Sequence, residues 1–285
     1  MEATRADAPP RAHQRGQDRG PLPPRPPEPD RLCGRAAVLA AFARRPADLL
    51  RLFYLPSMRE PAGPVCAALA RARRPYREVA PEELTRIAGT AHHGGIVAVA
   101  MPRRVPALPV PLPGALALPA LGAAPVLPVL DGVGNPHNLG AIARSAAFFG
   151  CHAMVLSGDP RQAGLSEAAF RTAEGGLESL SLYAARDLPA ALHAVSAQVL
   201  TVAAVAAGGV PPEALPRDRV LALVLGNEEQ GVAPATAAAC AARVTLPGSG
   251  RVESLNVSVA AAVLIHALSV PGTAGRQDGR TAHLE

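Results

Sequence analysis

The sequence predicts an α/β protein whose main domain has a mostly parallel sheet, preceded by a smaller α/β unit. From residue 126 onward, short apolar runs alternate with helix-like segments, which is typical of a parallel sheet covered on both faces. Three of the segments that follow apolar runs carry glycines or polar side chains, as in open α/β sheets that bind ligands at the carboxyl ends of their strands. The length of 285 residues suffices for two modest domains.

Charge is spread unevenly along the chain. Residues 1–104 contain 18 arginines and 10 acidic residues, whereas residues 105–285 contain 10 arginines and 13 acidic residues. No lysine occurs, which we attribute mainly to base composition, although arginine also suits phosphate binding. The basic first part suggests an arm or a domain that grips a polyanion; for residues 1–30 alone a solvated, disordered tail is the favoured alternative.

The cysteine and histidine patterns favour neither a disulfide framework nor a metal site. The four cysteines form no C-x-x-C pair, and the adjacent His92 and His93 are expected to point to opposite faces of a strand. Neither a signal peptide nor a membrane span is visible, because the apolar helix near 254–270 is too polar at its start. We therefore expect a cytoplasmic protein without a metal or a membrane segment.

The first part of the chain divides into a tail, a small domain and a linker. Residues 1–30 are predicted to be disordered, because they have almost no large apolar side chains. Residues 31–104 are predicted to form a small α/β unit, and the proline-rich residues 105–124 an extended linker that lies on a surface. The elements expected in the small unit are a helix around 37–42, a strand over 49–54, a helix with Pro64 in its first turn, a helix from Pro81 and a buried strand over 96–100.

The second domain is expected over residues 125–270, followed by a flexible tail over 271–285. Pro128 interrupts its first strand and predicts an edge position or a bulge. The predicted strands are 126–130, 153–156, 199–205, 220–225 and 243–246, and the predicted helices are 138–149, 187–197 and 254–269.

The loop after the first strand is the most informative segment. Gly132 and Gly134 lie in it, but no G-x-G-x-x-G follows, so a Rossmann dinucleotide site is not indicated. Asn138 is either the N-cap of the next helix or a functional amide. Arg144 stands among small and apolar residues and looks buried, so it needs a partner, either a carboxylate or a phosphate.

Two later segments have a similar character. Glycines flank Glu228 in the segment 226–231, which suits a backbone that wraps a ligand and presents an acid; a polar turn is the alternative. Ser254 is placed to cap the last helix. Residues 171–176 are expected to be a surface turn, with a phosphate contact by Arg171 as the alternative.

Together the three loops resemble the motifs of the SpoU/TrmH family of RNA ribose 2′-O-methyltransferases in the SPOUT superfamily. The unit over 31–104 is similar to the RNA substrate-binding domain that many members carry. Two departures are Pro128 in the first strand and Gly248 where a bulkier apolar residue is usual. The matching residues are Asn138, Gly140 and Arg144 in the first motif, Gly226, Glu228 and Gly231 in the second, and Pro247 with Ser254 to Ser258 in the third.

The resemblance implies a C-terminal trefoil knot, an exception to the usual unknotted topology of proteins. It also implies S-adenosylmethionine as the cofactor, RNA as the substrate, and a homodimer in which the alanine-rich helix after Asn138 contributes to the interface. The active-site residues that it implies are Arg144, Asn138, Glu228, Ser254 and Asn256. The cofactor-binding residues that it implies are Ala203, Ala204, Leu225, Gly226, Gly231, Leu246, Pro247, Ser254, Leu255 and Asn256.

The implied chemistry assigns a role to each catalytic residue. The sulfonium methyl group is already electrophilic, so the enzyme must mainly align a ribose 2′-hydroxyl and help its proton to leave. A guanidinium stays protonated in proteins and is therefore a poor base, so we expect Arg144 to hold the adjacent phosphate. The amides and Ser254 would position Arg144 and the loops, and Glu228 would anchor its loop or pair with an arginine.

We expect methylation of structured RNA, with ribosomal RNA slightly favoured over transfer RNA. The alternative from another class is a catalytically silent RNA-binding protein that acts in RNA assembly. The presence of Arg144 and of Ser254, Leu255 and Asn256 argues against that alternative. Cofactor affinity separates the two.

Overall fold

The computed structural model describes residues 28–117 and 126–269. Nearly all of the tail predicted over 1–30, all of the tail predicted over 271–285 and the end of the predicted linker lie outside these ranges. Among the described residues, no helix has the length and apolar character needed to cross a bilayer.

The first unit is a four-stranded sheet in the order β1-β4-β2-β3. Strand β4 is antiparallel to β1 and β2, whereas β2 and β3 are parallel. The structure confirms the strands predicted over 49–54 and 96–100, and it adds β1 and β3. The elements are β1 (Asp30–Cys33), α1 (Arg35–Arg44), β2 (Leu49–Tyr54), α2 (Arg59–Arg71), β3 (Tyr76–Glu78), α3 (Pro81–Ala88) and β4 (Ile96–Ala100).

The position predicted for Pro64 in the first turn of its helix is wrong. Helix α2 begins at Arg59, and Pro64 lies inside it. A short 3-10 turn over Pro56–Met58 leads directly into the helix, and Glu60 stands in its first turn, where an acidic side chain is favourable. The proline was therefore a misleading marker of the helix start.

The second unit contains a six-stranded sheet in the order β10-β8-β9-β5-β6-β7, and every neighbouring pair is parallel. This confirms the α/β class with a mostly parallel sheet. The elements are α4 (Gly114–Ala117), β5 (Val126–Asp131), α5 (Pro136–Phe148), β6 (Ala153–Ser157), α6 (Glu167–Ala173), α7 (Gly176–Ser179), β7 (Ser181–Ala185), α8 (Leu188–Val195), β8 (Leu200–Ala204), β9 (Leu221–Gly226), α9 (Pro234–Ala238), β10 (Ala242–Val244) and α10 (Val257–Ser269).

Alternate residues of the central strands serve two apolar layers. In β9, Leu221, Leu223 and Leu225 pack in the layer that holds α5, α6 and α10, while Ala222 and Val224 pack in the layer of α4 and α8. The first layer is continuous with the core between α1 and the sheet of the first unit. The two units therefore share buried surface.

The edge position predicted for the strand with Pro128 is wrong. Strand β5 lies between β9 and β6, and Pro128 stands opposite Leu223. The pairing of β5 with β6 begins only at Val129. The strand tolerates the missing N–H of Pro128, because Pro128 lies before the first residue of β5 that pairs with β6.

The proline-rich segment after β4 follows the outer edge of the second sheet. The N–H of Leu108 donates to the carbonyl of Ala184 at 2.8 Å, and the N–H of Ala184 donates to the carbonyl of Pro106 at 2.8 Å. Leu112 and Leu116 then pack in the layer of α8. The described part of the predicted linker therefore packs along the sheet and ends in the short helix α4, so it is not extended throughout.

Candidate active site

The loops after β5 and β9 meet because these strands are neighbours in a parallel sheet. The side chain of Glu228 joins the two loops. Its Oε1 accepts hydrogen bonds from Asn138 Nδ2 at 2.8 Å and from the N–H of Asn135 at 3.0 Å. Its Oε2 accepts one from the N–H of Gly134 at 3.0 Å. Two roles were expected for Glu228, either an anchor of its loop or a partner of an arginine. These contacts are those of an anchor, and they attach the second loop to the first.

These hydrogen bonds control the ionisation of Glu228. Partial burial raises the pKa of the carboxyl group, but the bonds from Asn138 and from the N–H groups of Gly134 and Asn135 lower it more. The pKa of Glu228 therefore lies below the ordinary glutamate value. The carboxylate remains charged, and hence able to accept all three bonds, at neutral pH.

Asn138 connects this anchor to the third loop. The Nδ2 group of Asn256 donates to Asn138 Oδ1 at 3.2 Å, and Asn256 Oδ1 accepts from the N–H of Ser258 at 2.9 Å. A chain of side chains from Glu228 through Asn138 to Asn256 thus joins the three loops, which are far apart in sequence. The structure brings these three predicted residues into direct contact.

Neither Asn138, for which a cap was one of two alternatives, nor Ser254 caps its helix. Helix α5 is capped by Asn135, whose Oδ1 accepts from the N–H of His137 at 2.8 Å. Asn138 is therefore inside the helix and buried, which leaves its amide for Glu228 and Asn256. Helix α10 begins at Val257, so Asn256, and not Ser254, is the residue at the cap position.

Glycines let the second loop close on itself. A Cβ atom on Gly226 would lie 2.1 Å from the carbonyl carbon of Gly231, so a larger residue cannot occupy this position. Asn227 and Gly231 exchange two backbone hydrogen bonds of 2.9 Å, and Asn227 Nδ2 also donates to the carbonyl of Gly132 at 2.8 Å. Asn227, which the sequence analysis did not select, thus links the same two loops as Glu228.

Arg144 occupies a different environment from the one expected. Its side chain is 57% exposed, and Nη2 lies 3.0 Å from Oε2 of Glu174, whose side chain is 53% exposed. Helix α5 buries the face that holds Leu139, Ile142 and Ala143, and Arg144 lies on the open side. The expected burial is wrong, and the partner in the structure is a carboxylate.

Residues 171–176 do not form the predicted surface turn. They include the end of α6 and the start of α7, and the side chain of Arg171 pairs with Glu167 at 2.9 Å. A Cβ atom on Gly176 would lie 2.8 Å from the Cα atom of Arg144. The glycine pair at 175–176 is the sequence signal that could have indicated close packing here and thereby the partner Glu174.

The remaining predicted residues lie where neighbouring strands end or in the second and third loops. Strand β8 ends at Ala204, β9 at Gly226 and β10 at Val244, and β8 lies between the other two. Ala203 and Leu225 are buried, and Leu246 packs against the core. The exposed members of the whole predicted set are Arg144, Glu228, Gly231, Pro247, Ser254, Leu255 and Asn256.

Comparison with known proteins identifies the family of this chain. The SpoU rRNA Methylase family model matches residues 125–266, and a model described as RNA 2'-O ribose methyltransferase substrate binding matches residues 31–106. The 23S rRNA (guanosine-2'-O-)-methyltransferase RlmB of Nitrosomonas europaea is 38% identical over 186 residues, which cover 65% of this chain and 69% of the relative. This chain belongs to the SpoU methylase family. The predicted family and enzyme class are confirmed.

Two further comparisons extend the family match. RlmB of Bordetella pertussis is 32% identical over 237 residues, which cover 82% of this SpoU methylase and 94% of the relative. The structure described as AdoMet bound rRNA methyltransferase from Sinorhizobium meliloti superposes with a TM-score of 0.67 at 22% identity, covering 85% of this chain and 87% of the other. At this identity, the structural likeness concerns the fold alone.

A surface cavity and the histidine pair His92 and His93 lie outside the candidate site of this SpoU methylase. An open cavity of about 470 Å³ lies beside β10, between residues 208–210 and 237–243, and it contains no predicted site residue. Within the described part of the chain, no group of three or more His, Cys, Asp or Glu side chains is placed to hold a metal. His93 instead makes local contacts, with Thr85 at 3.2 Å and with the N–H of Gly95 at 3.1 Å.

Proposed function

We propose that this protein transfers the methyl group of S-adenosylmethionine to a ribose 2′-hydroxyl of structured RNA, with ribosomal RNA favoured as the substrate. The observation that carries the proposal is the chain of side chains Glu228, Asn138 and Asn256, which joins the three family loops at one edge of the sheet. Family membership and the names of the two RlmB relatives support the RNA substrate. The description of the Sinorhizobium enzyme as AdoMet bound supports the cofactor.

The residues at the strand ends fit that cofactor. Ala203, Ala204 and Gly226 are small, and Leu225 and Leu246 are apolar, so this edge suits the flat face of an adenine ring and a thioether chain. Gly231, Pro247 and residues 254–256 would complete the site from the second and third loops. When bound, S-adenosylmethionine supplies an electrophilic methyl group.

Arg144 is the residue proposed to contact the RNA. Its exposed guanidinium presents a planar fork that matches a phosphate group. An exposed ion pair is worth only about 0–1 kcal/mol, so an RNA phosphate can take the place of Glu174. A phosphate held here would orient the neighbouring ribose, and the positive charge would lower the pKa of its 2′-hydroxyl.

Glu228, Asn138 and Asn256 act as positioning residues in this proposal. They fix the loop that precedes α5 and hence the start of the helix that carries Arg144. Ser254 lies two residues before Asn256 in the same loop, and we propose that it contacts the substrate or the cofactor there. In this scheme, the protein's residues align the reacting groups and stabilise charge.

We also infer that the C-terminal part is threaded as a trefoil knot. After β10, at the edge of the sheet, the chain returns to α10, which packs in the layer of α5. The segment between β8 and β9 lies against this returning helix, because Arg217 Nη1 donates to the carbonyl of Ala267 at 2.7 Å. These crossings support a knot around the proposed cofactor site.

A methylation assay tests the function. Purified protein is incubated with labelled S-adenosylmethionine and unmodified ribosomal or transfer RNA, and the digested RNA is scored for 2′-O-methyl nucleosides. We expect label on ribose, and Arg144→Ala should lower the rate at least about 100-fold while cofactor affinity stays unchanged. Arg219→Ala is the matched control. Arg219 lies just before β9, at the amino ends of the parallel strands, whereas the candidate site lies at their carboxyl ends.

Other outcomes would change the proposal. Equal loss of cofactor binding and of methyl transfer in Arg144→Ala contradicts the phosphate role. Label on a base overturns the 2′-hydroxyl assignment. Absence of cofactor binding in the unaltered protein favours the silent RNA-binding alternative.

We further propose a homodimer that covers the apolar surface of α5 and α10. Phe148 at the end of α5 is 82% exposed, and Val259 and Val263 on α10 are also exposed. Phe149 contacts the ring of His266 with centroids 5.2 Å apart, so the two helices lie side by side here. Sedimentation analysis should show a dimer that Phe148→Glu weakens at least about tenfold, because a charge would be buried; a monomeric unaltered protein refutes the dimer.

A further inference from the structure

A cluster of four charged side chains, one buried and three partly buried, lies where the substrate-binding unit meets the methylase unit. We name it the interdomain cluster; its members are Asp30, Arg45, Arg103 and Glu178. Glu178 belongs to α7 of the methylase unit, and its side chain is 1% exposed. Asp30 and Arg45 belong to the first unit, and Arg103 follows its last strand, β4. The reaction proposed above uses none of them.

Glu178 is the centre of the cluster. Arg45 donates to Oε1 from Nη2 at 2.8 Å and to Oε2 from Nε at 3.1 Å, which is a two-pronged contact. Arg103 donates to Oε2 from Nη1 at 2.6 Å. One carboxylate of the methylase unit thus binds arginines from two separate segments of the chain.

The other polar groups of the cluster are also paired. Asp30 Oδ2 accepts from Arg45 Nη2 at 3.3 Å and from the N–H of Arg103 at 2.8 Å. Two arginine nitrogens donate to backbone carbonyls. Arg103 Nη2 donates to the carbonyl of Leu180 at 2.6 Å, and Arg45 Nη1 donates to the carbonyl of Met101 at 2.8 Å. The largely buried carboxylates of Asp30 and Glu178 balance the two guanidinium groups. The more exposed Asp48 also lies 3.8 Å from Arg45 Nη1, and no buried side-chain polar atom of the described residues lacks a partner.

The backbone beside the cluster allows little freedom of rotation. A Cβ atom on Gly175 would lie 2.8 Å from the Cβ atom of Ala40 in α1. One on Gly176 would lie 2.8 Å from the Cα atom of Arg144 in α5. Helix α7 is therefore held between the substrate-binding unit on one side and the helix of Arg144 on the other.

This arrangement determines orientation more than it adds stability. A buried ionic network stabilises a protein little better than well-packed apolar residues of the same volume, but its hydrogen bonds are satisfied in one geometry only. Rotation of one unit against the other would leave buried charges without partners. A shared apolar surface alone would not impose that penalty.

We propose that Glu178, acting through Arg45 and Arg103, is a positioning residue that fixes the substrate-binding unit at a set orientation to Arg144. RNA held by the first unit would then reach the methyl-transfer site at a distance determined by the protein. This inference rests on the proposed function. It predicts that the cluster governs use of the RNA and leaves the cofactor site unchanged.

The kinetic test uses the full-length chain with Glu178→Gln, which keeps the shape of the side chain and removes its charge. We expect the KM for structured RNA to rise about tenfold, with kcat and cofactor affinity changed less than about twofold. Glu78→Gln is the matched control, because it removes an exposed ion pair with Arg59 inside the first unit. An unchanged KM for Glu178→Gln, or equal losses in KM and kcat, overturns the proposal.

A second variant covers the case in which Glu178→Gln fails to fold. Asp30→Asn, Arg45→Met, Arg103→Met and Glu178→Leu together remove all four charges, and such apolar replacement is often tolerated. We expect this fourfold variant to fold and still to show the raised KM. An unaltered KM shows that the charged network is not needed for positioning and overturns the inference.

A distance measurement separates this inference from the proposed function. Spin labels are placed at Ala67→Cys on α2 and Ala194→Cys on α8, both exposed, with Cys66 and Cys240 replaced by serine. We expect one narrow distance distribution, broadened by Glu178→Gln, whether or not the preparation methylates RNA. A broad distribution with Glu178 intact, or an equally narrow one in the variant, contradicts the fixed orientation.

Discussion

Two carboxylates that bind arginines differ in burial: Glu178 in helix α7, and Glu174, which lies two residues before that helix. Glu178 is buried and binds Arg45 and Arg103, whereas Glu174 is half exposed and binds Arg144. The buried contact is expensive to break, because it would leave charges without water or partners. The exposed contact is weak and exchangeable. The comparison indicates that the buried contact fixes how the two units meet, while the exposed contact leaves an arginine available for RNA.

The largest effect should appear in stability. Glu178→Ala should lower the free energy of unfolding by about 3–5 kcal/mol, because two buried guanidinium groups lose their carboxylate. Glu174→Ala should change it by less than about 1 kcal/mol. Denaturant titration of both variants measures the difference, and similar losses would erase the distinction between the two contacts.

A smaller effect should appear in RNA use. Glu174→Gln removes the internal competitor of Arg144, so the KM for RNA should fall about threefold while kcat changes little, as expected for an exposed ion pair. Steady-state kinetics measures this effect, with Glu167→Gln as the control. Glu167 pairs with Arg171 inside α6 and does not contact Arg144. A lower kcat for Glu174→Gln would instead show that Glu174 holds Arg144 in its active orientation.

The smallest effect should appear in the acid response of the loop anchor. The pKa of Glu228 is below the ordinary value, so the folded state binds this proton more weakly than the unfolded state does. Its contribution to stability is therefore complete above the ordinary pKa of about 4.3 and is lost as the pH falls through the lower folded value. The midpoint temperature of thermal unfolding should fall between pH 6 and pH 3, and Glu228→Gln should reduce that fall. The same dependence of the midpoint on pH in both proteins would refute the prediction.

Much of the second domain could be predicted from local patterns. The alternation of apolar runs and helices predicted five of its six strands, because parallel strands buried on both faces appear as apolar runs. Strand β7 was missed because only two of its five residues are buried, so it does not appear as a continuous apolar run. Helices α6 and α7 were missed because glycines interrupt the segment, and glycine is more typical of turns.

The site was predictable as a set of residues but not as a set of contacts. The glycines at 226 and 231 indicated a tight loop, and the backbone distances show why only glycine fits at Gly226. No local pattern could show that Asn138 would face Glu228 and Asn256, which are 90 and 118 positions away. The cap signal at Asn138 was misleading because Asn135 took that role.

The sequence by itself determined the family, the parallel α/β class and the three loops, because strand periodicity, turn residues and motif spacing are properties of neighbouring residues. Only the tertiary structure decided that Pro128 is central, that Arg144 is exposed, and that Glu178 is buried between two units. The physical reason is that burial and pairing of charge depend on which distant segments pack together. That packing is a property of the whole folded chain.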